Sequence, residues 1–158
     1  IEIISTLPIK DRDIVIGKYL SAVALISLAL FSTSLHFITL VSFGNSIDYG
    51  AVFTGYLGLL LVGAVYASIG IFSSAVTDNQ VISFIIGIAI IFVFWLFDKV
   101  LVFMPDMLAG IIQYLSVEYH LSNISRGVID TRNLIYFGSV IGFFLFLTTR
   151  LVESRRWN

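Results

Sequence analysis

The spacing of charged residues is the feature that most narrows what this chain can become. Lys18 and Asp48 enclose 29 uncharged residues, Asp48 and Asp78 another 29, Asp78 and Asp98 enclose 19, and Arg132 and Arg150 enclose 17. A helix needs about 20 mainly apolar residues to cross roughly 30 Å of hydrocarbon, and longer stretches tilt. The shortest gap gains length because the Arg150 guanidinium can extend to the headgroups while its stem stays in the apolar layer. Four transmembrane helices are therefore predicted, over about 14–43, 52–76, 80–102 and 132–151, in an all-α polytopic bundle that occupies the single domain 1–158. Composition agrees, since 58% of the residues are hydrophobic and 12% charged, against about a quarter charged in a soluble domain. Mean hydropathy is +1.01.

Several functions fall away at once. A net charge of −1, with the basic residues scattered, gives no electrostatic reason to expect a nucleic-acid partner. Without cysteine there is neither a disulfide framework nor a thiolate metal site. Glu118 and His120 stand at i, i+2, on different sides of a helix, and lack a third ligand, so no metal site is expected. No nucleophilic serine sits on a glycine-flanked motif with a matching histidine, and no catalytic site is predicted. "IGKY", Ile16 to Tyr19, carries the Gly-Lys pair of a phosphate loop. Arg12 stands where that loop needs its first glycine and Tyr19 where it needs Ser or Thr, so this chain is not expected to use ATP itself. Nothing at the start has the layout of a signal peptide, and the absence of an initiating Met predicts further sequence upstream of Ile1.

Orientation follows from the basic residues. With the amino end in the cytoplasm, Lys10, Arg12, Lys18, Arg150, Arg155 and Arg156 lie inside and Lys99, Arg126 and Arg132 outside, a six-to-three bias that favours this choice. Four spans then bring both visible ends to the cytoplasm. Gly44 to Gly50 reads as a short outer turn and Thr77 to Gln80 as a tight inner one, with Thr77 or Asp78 placed to cap the following helix. The third connection is too long for a turn. After Pro105 it places Leu108, Ile111, Ile112, Leu115 and Tyr119 at helical spacing, too few residues to span, so 104–128 is expected to form one or two re-entrant or interfacial helices, closed near Gly127.

Small residues mark faces where helices can approach closely: Gly63, Ala67 and Gly70 in one span, Gly138 and Gly142 in the last. His36, in the outer half of the first span, is expected either to be buried and hydrogen-bonded to a neighbouring helix or to line a translocation path. Residues 1–12 form a charged elbow. Ile3, Ile4 and Leu7 make an apolar edge, Pro8 breaks the helix, and Lys10, Asp11, Arg12 and Asp13 offer alternating charge in a turn. The elbow is either a solvated boundary, with Asp11 or Asp13 capping the span, or a knob for a cytoplasmic partner.

Three stretches resemble one family. They are "EIISTLPIKDRDIVIGKYL", with its LP pair, charged turn and Gly-Lys; Gly55 to Phe84, whose close is like the family's Ser-x-Leu-Thr-Glu-Asn-Gln; and Leu115 to Phe137, with its His, Arg-Gly and run into the last span. The chain is similar to the carboxyl-terminal two-thirds of permease subunits of type-2 ABC exporters, most closely the gliding-motility-associated group. Val76 and Asp78 depart mildly from the family's Leu and Glu. The resemblance implies six spans per subunit, paired permeases, and two separate cytoplasmic ATPases that hold ATP and Mg, with no cofactor in this chain. It implies that Ile4, Leu7, Pro8, Lys10, Asp11 and Arg12 belong to a coupling helix, with Asp78, Asn79 and Gln80 a second ATPase contact. Leu115, His120, Arg126 and Gly127 would belong to the re-entrant helices that gate the outer mouth. The rival expectations are a membrane anchor that transports nothing and a secondary transporter that works without ATP.

Overall fold

The computed structural model describes residues 10–44, 46–126 and 131–157, and every regular element among them is helical. α1 (Asp11–Phe43), α2 (Tyr49–Val76), α3 (Gln80–Val100) and α6 (Thr131–Trp157) are the long helices. A 3₁₀ turn (Leu101–Phe103) follows α3, and α4 (Asp106–Leu115) and α5 (Val117–Ser125) are short. Four stretches, 11–43, 49–76, 80–103 and 131–155, are long and apolar enough to cross a membrane.

Helix ends follow local chemistry. Lys10 is extended and supplies no side-chain cap, while Asp11 and Asp13 sit in the first turn of α1, where carboxylates suit the positive end of the helix dipole. α1 ends at Gly44, whose N–H donates to the Leu40 carbonyl. A Cβ on Gly44 would stand 2.8 Å from that same carbonyl oxygen, so the turn tolerates no larger residue without shifting. Asp48 caps α2 by accepting from Ala51 N–H. The predicted cap of α3 needs correction. Asn79, rather than Thr77 or Asp78, accepts from the Val81 and Ile82 N–H groups, while Thr77 Oγ1 accepts from Asn79 N–H.

α2 is the hub and packs against α1, α3, α5 and α6. It can do so because small residues recur along it and admit close neighbours. A Cβ on Gly63 would meet Ile26 of α1 at 2.8 Å, one on Gly58 would meet Leu121 and Ile124 of α5 at 3.0 and 3.1 Å, and one on Gly87 of α3 would meet Ser73 Oγ at 3.1 Å. Of the predicted packing positions, Gly63 is thus closely approached and Ala67 is half-buried. Gly70, Gly138 and Gly142 have nothing within 4 Å of an added Cβ; no element described in this chain packs on them. Gly58 and Gly87, which the sequence did not single out, are where helices meet.

The core joins Val62, Val65 and Ile69 of α2 to Val117 and Ile124 of α5 and to Tyr136, Phe137 and Phe144 of α6. By contrast only 6% of the apolar stretch is buried in α1 and in α3, against 33% in α2, so those two helices turn most of their surface away from the bundle. His36 is exposed and lines an open groove between α1 and α2 with Phe37, Val52 and Tyr56. The buried, hydrogen-bonded histidine expected there is not observed, because the α1 face that meets α2 carries Ile26, Thr33 and Phe37 instead.

Candidate functional sites at the two ends of the bundle

The stretches 10–13 and 77–80 have 63 residues between them, yet the alternation of helices returns them to the same end. α1 starts there, α2 finishes there, α3 starts there and the last turns of α6 arrive beside them. A cleft of about 680 Å³ opens between these four helices, lined by Asp11 and Lys18 of α1, Thr77 and Asp78 of the turn, Gln80 of α3 and Arg155 of α6 among others. Arg155 bridges α6 to the α2–α3 turn at the surface of this end. Its guanidinium donates to Asp78 Oδ1 at 2.8 Å and to the Val76 carbonyl at 3.0 Å, so one side chain answers both a carboxylate and an orphan carbonyl at the end of α2. Sequence reasoning missed Arg155, whose partners stand 77 and 79 residues away.

The charged elbow differs in part from expectation. Asp11, Arg12 and Asp13 are the opening turn of α1 rather than a turn before it, with only Lys10 extended. At 33 residues α1 is about 50 Å long, so its ends stand beyond a hydrocarbon layer of roughly 30 Å. Arg12 is exposed and Asp11 is nearly buried at 9% exposure. Ile4, Leu7 and Pro8 lie outside the described residues. Asp78, Asn79 and Gln80 are all exposed.

At the opposite end the segment after Pro105 forms two helices, because Ser116 interrupts them. Ser116 closes α4 by donating its N–H to the Gln113 carbonyl and opens α5 by accepting from Tyr119 N–H on Oγ. Such a break leaves carbonyls at the end of α4 without helical donors. Two side chains supply them. His120 Nε2–H donates to the Tyr114 carbonyl at 2.7 Å, and the Tyr136 hydroxyl of α6 donates to the Leu115 carbonyl. His120 is 1% exposed and stacks on Tyr136 at 4.0 Å between ring centres, with Tyr114, Tyr119 and Phe137 edge-on around it.

The other ring nitrogen, Nδ1, faces the side-chain amide of Asn133 on α6. Since Nε2 carries the proton given to the carbonyl, Nδ1 is free to accept, and the Asn133 amide N–H is the matching donor. In the structure Oδ1 is the atom placed toward Nδ1, which leaves Nδ2 buried without a partner; turning the amide over satisfies both groups. His120 therefore ties the α4–α5 hairpin to α6 on both sides of its ring. Val117, immediately after the break, belongs to the same buried cluster as Val65 and Ile69 from the middle of α2. Of the other predicted gate residues, Leu115 is 41% exposed, Arg126 is exposed at the end of α5, and Gly127 lies outside the described residues. Asn133 and Tyr136 were not foreseen.

Glu118 does not partner His120. It is exposed and pairs with Lys99 of α3 at 3.7 Å, and Lys99 also meets Asp98 at 3.2 Å. No group of three metal-ligating side chains occurs among the described residues.

Residues 1–148 match the family model described as ABC-2 family transporter protein. Neither a curated protein nor a solved structure matches the chain.

Proposed function

The chain belongs to the ABC-2 transporter family, as a membrane permease component of an ABC-type transporter that associates with a cytoplasmic ABC ATPase, and from that premise we propose how it couples and which way it moves cargo. The end of the bundle that carries Asp11, Asp78 and Arg155 faces the cytoplasm and receives the ATPase. Lys10, Asp11 and Arg12 form one part of the contact, and Asp78, Asn79 and Gln80 the other. The observation that supports this reading is the convergence of both stretches on a single cleft, stapled by Arg155. Five of the nine basic residues, Lys10, Arg12, Lys18, Arg150 and Arg155, belong to helix ends on that side, in keeping with the positive-inside bias.

In this reading the protein is a bacterial inner-membrane exporter subunit, nearest the gliding-motility-associated group, and works with a second permease copy or paralogue. ATP and Mg are bound by the ATPases. Their approach moves the Asp11 turn, which is continuous with α1, and the displacement passes through the Ile26–Gly63 contact into α2. Because α2 also carries the α4–α5 hairpin against Gly58, movement at one end is felt at the other, and the hairpin gates the outer mouth. Hydrolysis resets the pair.

The test is to replace Asp11 and Arg12 together with Ala in the full-length subunit, and separately the exposed Asp78 and Gln80, with Arg155→Ala as the control for loss of the Asp78–Arg155 pair. ATPase co-purification and ATP-dependent transport in vesicles are then measured. Both pairs are expected to lower both readouts by about tenfold or more, the loss of one or two charged interface contacts. Wild-type association and transport in both double variants would overturn the assignment.

A further inference from the structure

We propose that a second copy of this chain docks on α1, its own α1 running parallel, along the face of that helix that turns away from α2. The proposal rests on the membrane setting of the four spans and not on the ATPase contact or the direction of transport.

α1 has two opposite faces. One packs inside the subunit: Val15 is buried, Ile26 lies against Gly63, and Thr33 and Phe37 reach Tyr56 and Tyr49 of α2. The other runs through positions 17, 21, 24, 28, 31, 35, 38 and 42, in alternating steps of four and three, and every one of these residues is exposed. A seven-residue repeat of this kind is the seam along which two helices wrap around each other.

Apolar exposure by itself would mark only a lipid-facing helix, because two apolar faces gain little by leaving lipid for one another. Two features set this face apart. Its inner third is small: Gly17, Ser21 and Ala24 let a second backbone come close, and nothing in the described chain stands within 4 Å of a Cβ on Gly17. Farther out, Leu28, Phe31, Leu35 and Ile38 supply exposed knobs for the same seam.

The second feature is charge, and it selects the partner. Asp13 and Lys18 flank the seam on opposite sides, five residues apart, and neither side chain makes a hydrogen bond or ion pair among the described residues. Lys18 also edges the inner cleft, but it is exposed and free to turn toward the seam. In a parallel pair the residue on one flank faces the residue five positions further along on the other helix, so Asp13 of each copy meets Lys18 of the other. Two copies inserted with one topology necessarily run their α1 helices parallel, which is the orientation that makes these charges complementary. A two-fold axis repeats the contact and closes the interface on itself. An unrelated helix has no need of opposite charges at this spacing.

The chain contains no cysteine, so single cysteines in the full-length subunit, made cysteine-free elsewhere, read the face by oxidative cross-linking in native membranes. Ser21→Cys, Leu28→Cys and Leu35→Cys are expected to give disulfide-linked dimers at about ten times the yield of Ile16→Cys and Leu40→Cys, which are exposed on the other side of α1, because a disulfide needs Cα atoms within about 7 Å. Asp13→Lys, which sets like charges across the seam, is expected to lower the Leu28→Cys yield about fivefold, and Asp13→Lys combined with Lys18→Asp to restore it. Ala24→Trp, which fills the small-residue stretch at an exposed position, is expected to abolish the cross-links at 21 and 28. Equal yields on both sides of α1 would mark random encounter and would overturn the proposal. So would the absence of dimers at the seam positions, which would mean that lipid or another span covers this face, or a failure of the charge exchange to restore cross-linking. Transport is measured in the same membranes, so that wild-type transport without seam cross-links rejects this interface alone and leaves the permease reading standing.

Discussion

Removing one oxygen atom tests the account of the broken outer hairpin. In Tyr136→Phe the ring remains stacked on His120 and the buried α6 packing is kept, while the hydroxyl that donates to the Leu115 carbonyl is lost. That carbonyl ends α4 at a break where no helical N–H replaces the donor. An unpartnered buried carbonyl costs about 1–3 kcal/mol. The Tyr136–Leu115 hydrogen bond is only partly buried, so the lower half, about 1–2 kcal/mol, is expected. The effect should be local, concentrated where α4 passes into α5. Amide hydrogen exchange across residues 113–120 in nanodiscs should accelerate by about 5- to 30-fold, with α1 and α3 unchanged. Tyr119→Phe is the control, since that hydroxyl makes no hydrogen bond among the described residues. Equal exchange in wild type and Tyr136→Phe, or an equal effect of Tyr119→Phe, would refute the idea that side chains from α5 and α6 hold the break closed.

Gly58→Ala brings a methyl group to within about 3 Å of Leu121 and Ile124 and should cost about 1 kcal/mol or more through overpacking, whereas Gly138→Ala and Gly142→Ala meet open space and should leave unfolding of the subunit unchanged or slightly slower, as read by steric trapping in detergent. Asn79→Ala removes both side-chain hydrogen bonds that cap α3 and should destabilise by about 0.5–2 kcal/mol in the same assay, while Thr77→Ala, one step removed, should cost less.

The membrane-spanning architecture was legible because it depends on a property each residue carries alone. A charge is costly in hydrocarbon whatever its neighbours, so the gaps between Lys18, Asp48, Asp78 and Asp98 mark spans without knowledge of packing. α1 and α2 begin about three residues before those estimates and α6 runs about six beyond its own, while α3 stops at Val100 and passes into a 3₁₀ turn. Capping was only partly legible. The Asp48 cap of α2 was not foreseen, and Thr77, Asp78 and Asn79 are three capping residues in a row, of which the one that caps is fixed by where the helix begins.

Glycine spacing misled for a related reason. Gly138 and Gly142 form a face that permits close approach, but permission is a property of one helix and contact a property of two. Gly58 looked unremarkable until α5 was laid across it.

His120 shows the same limit at the outer end, where the Leu115–Phe137 likeness marked it but gave no partners. Its partners are a backbone carbonyl six residues before it and an amide thirteen after it, brought together only because Ser116 breaks the hairpin and α6 closes against it. The solvent preference of each residue, taken alone, is enough to mark four apolar membrane-crossing helices in this stretch and the polar segments between them. Which polar groups are answered, at His120, Asn133, Asp78 and Arg155, was decided by the tertiary structure alone, because a hydrogen bond needs two groups within about 3 Å and local sequence sets only one of them.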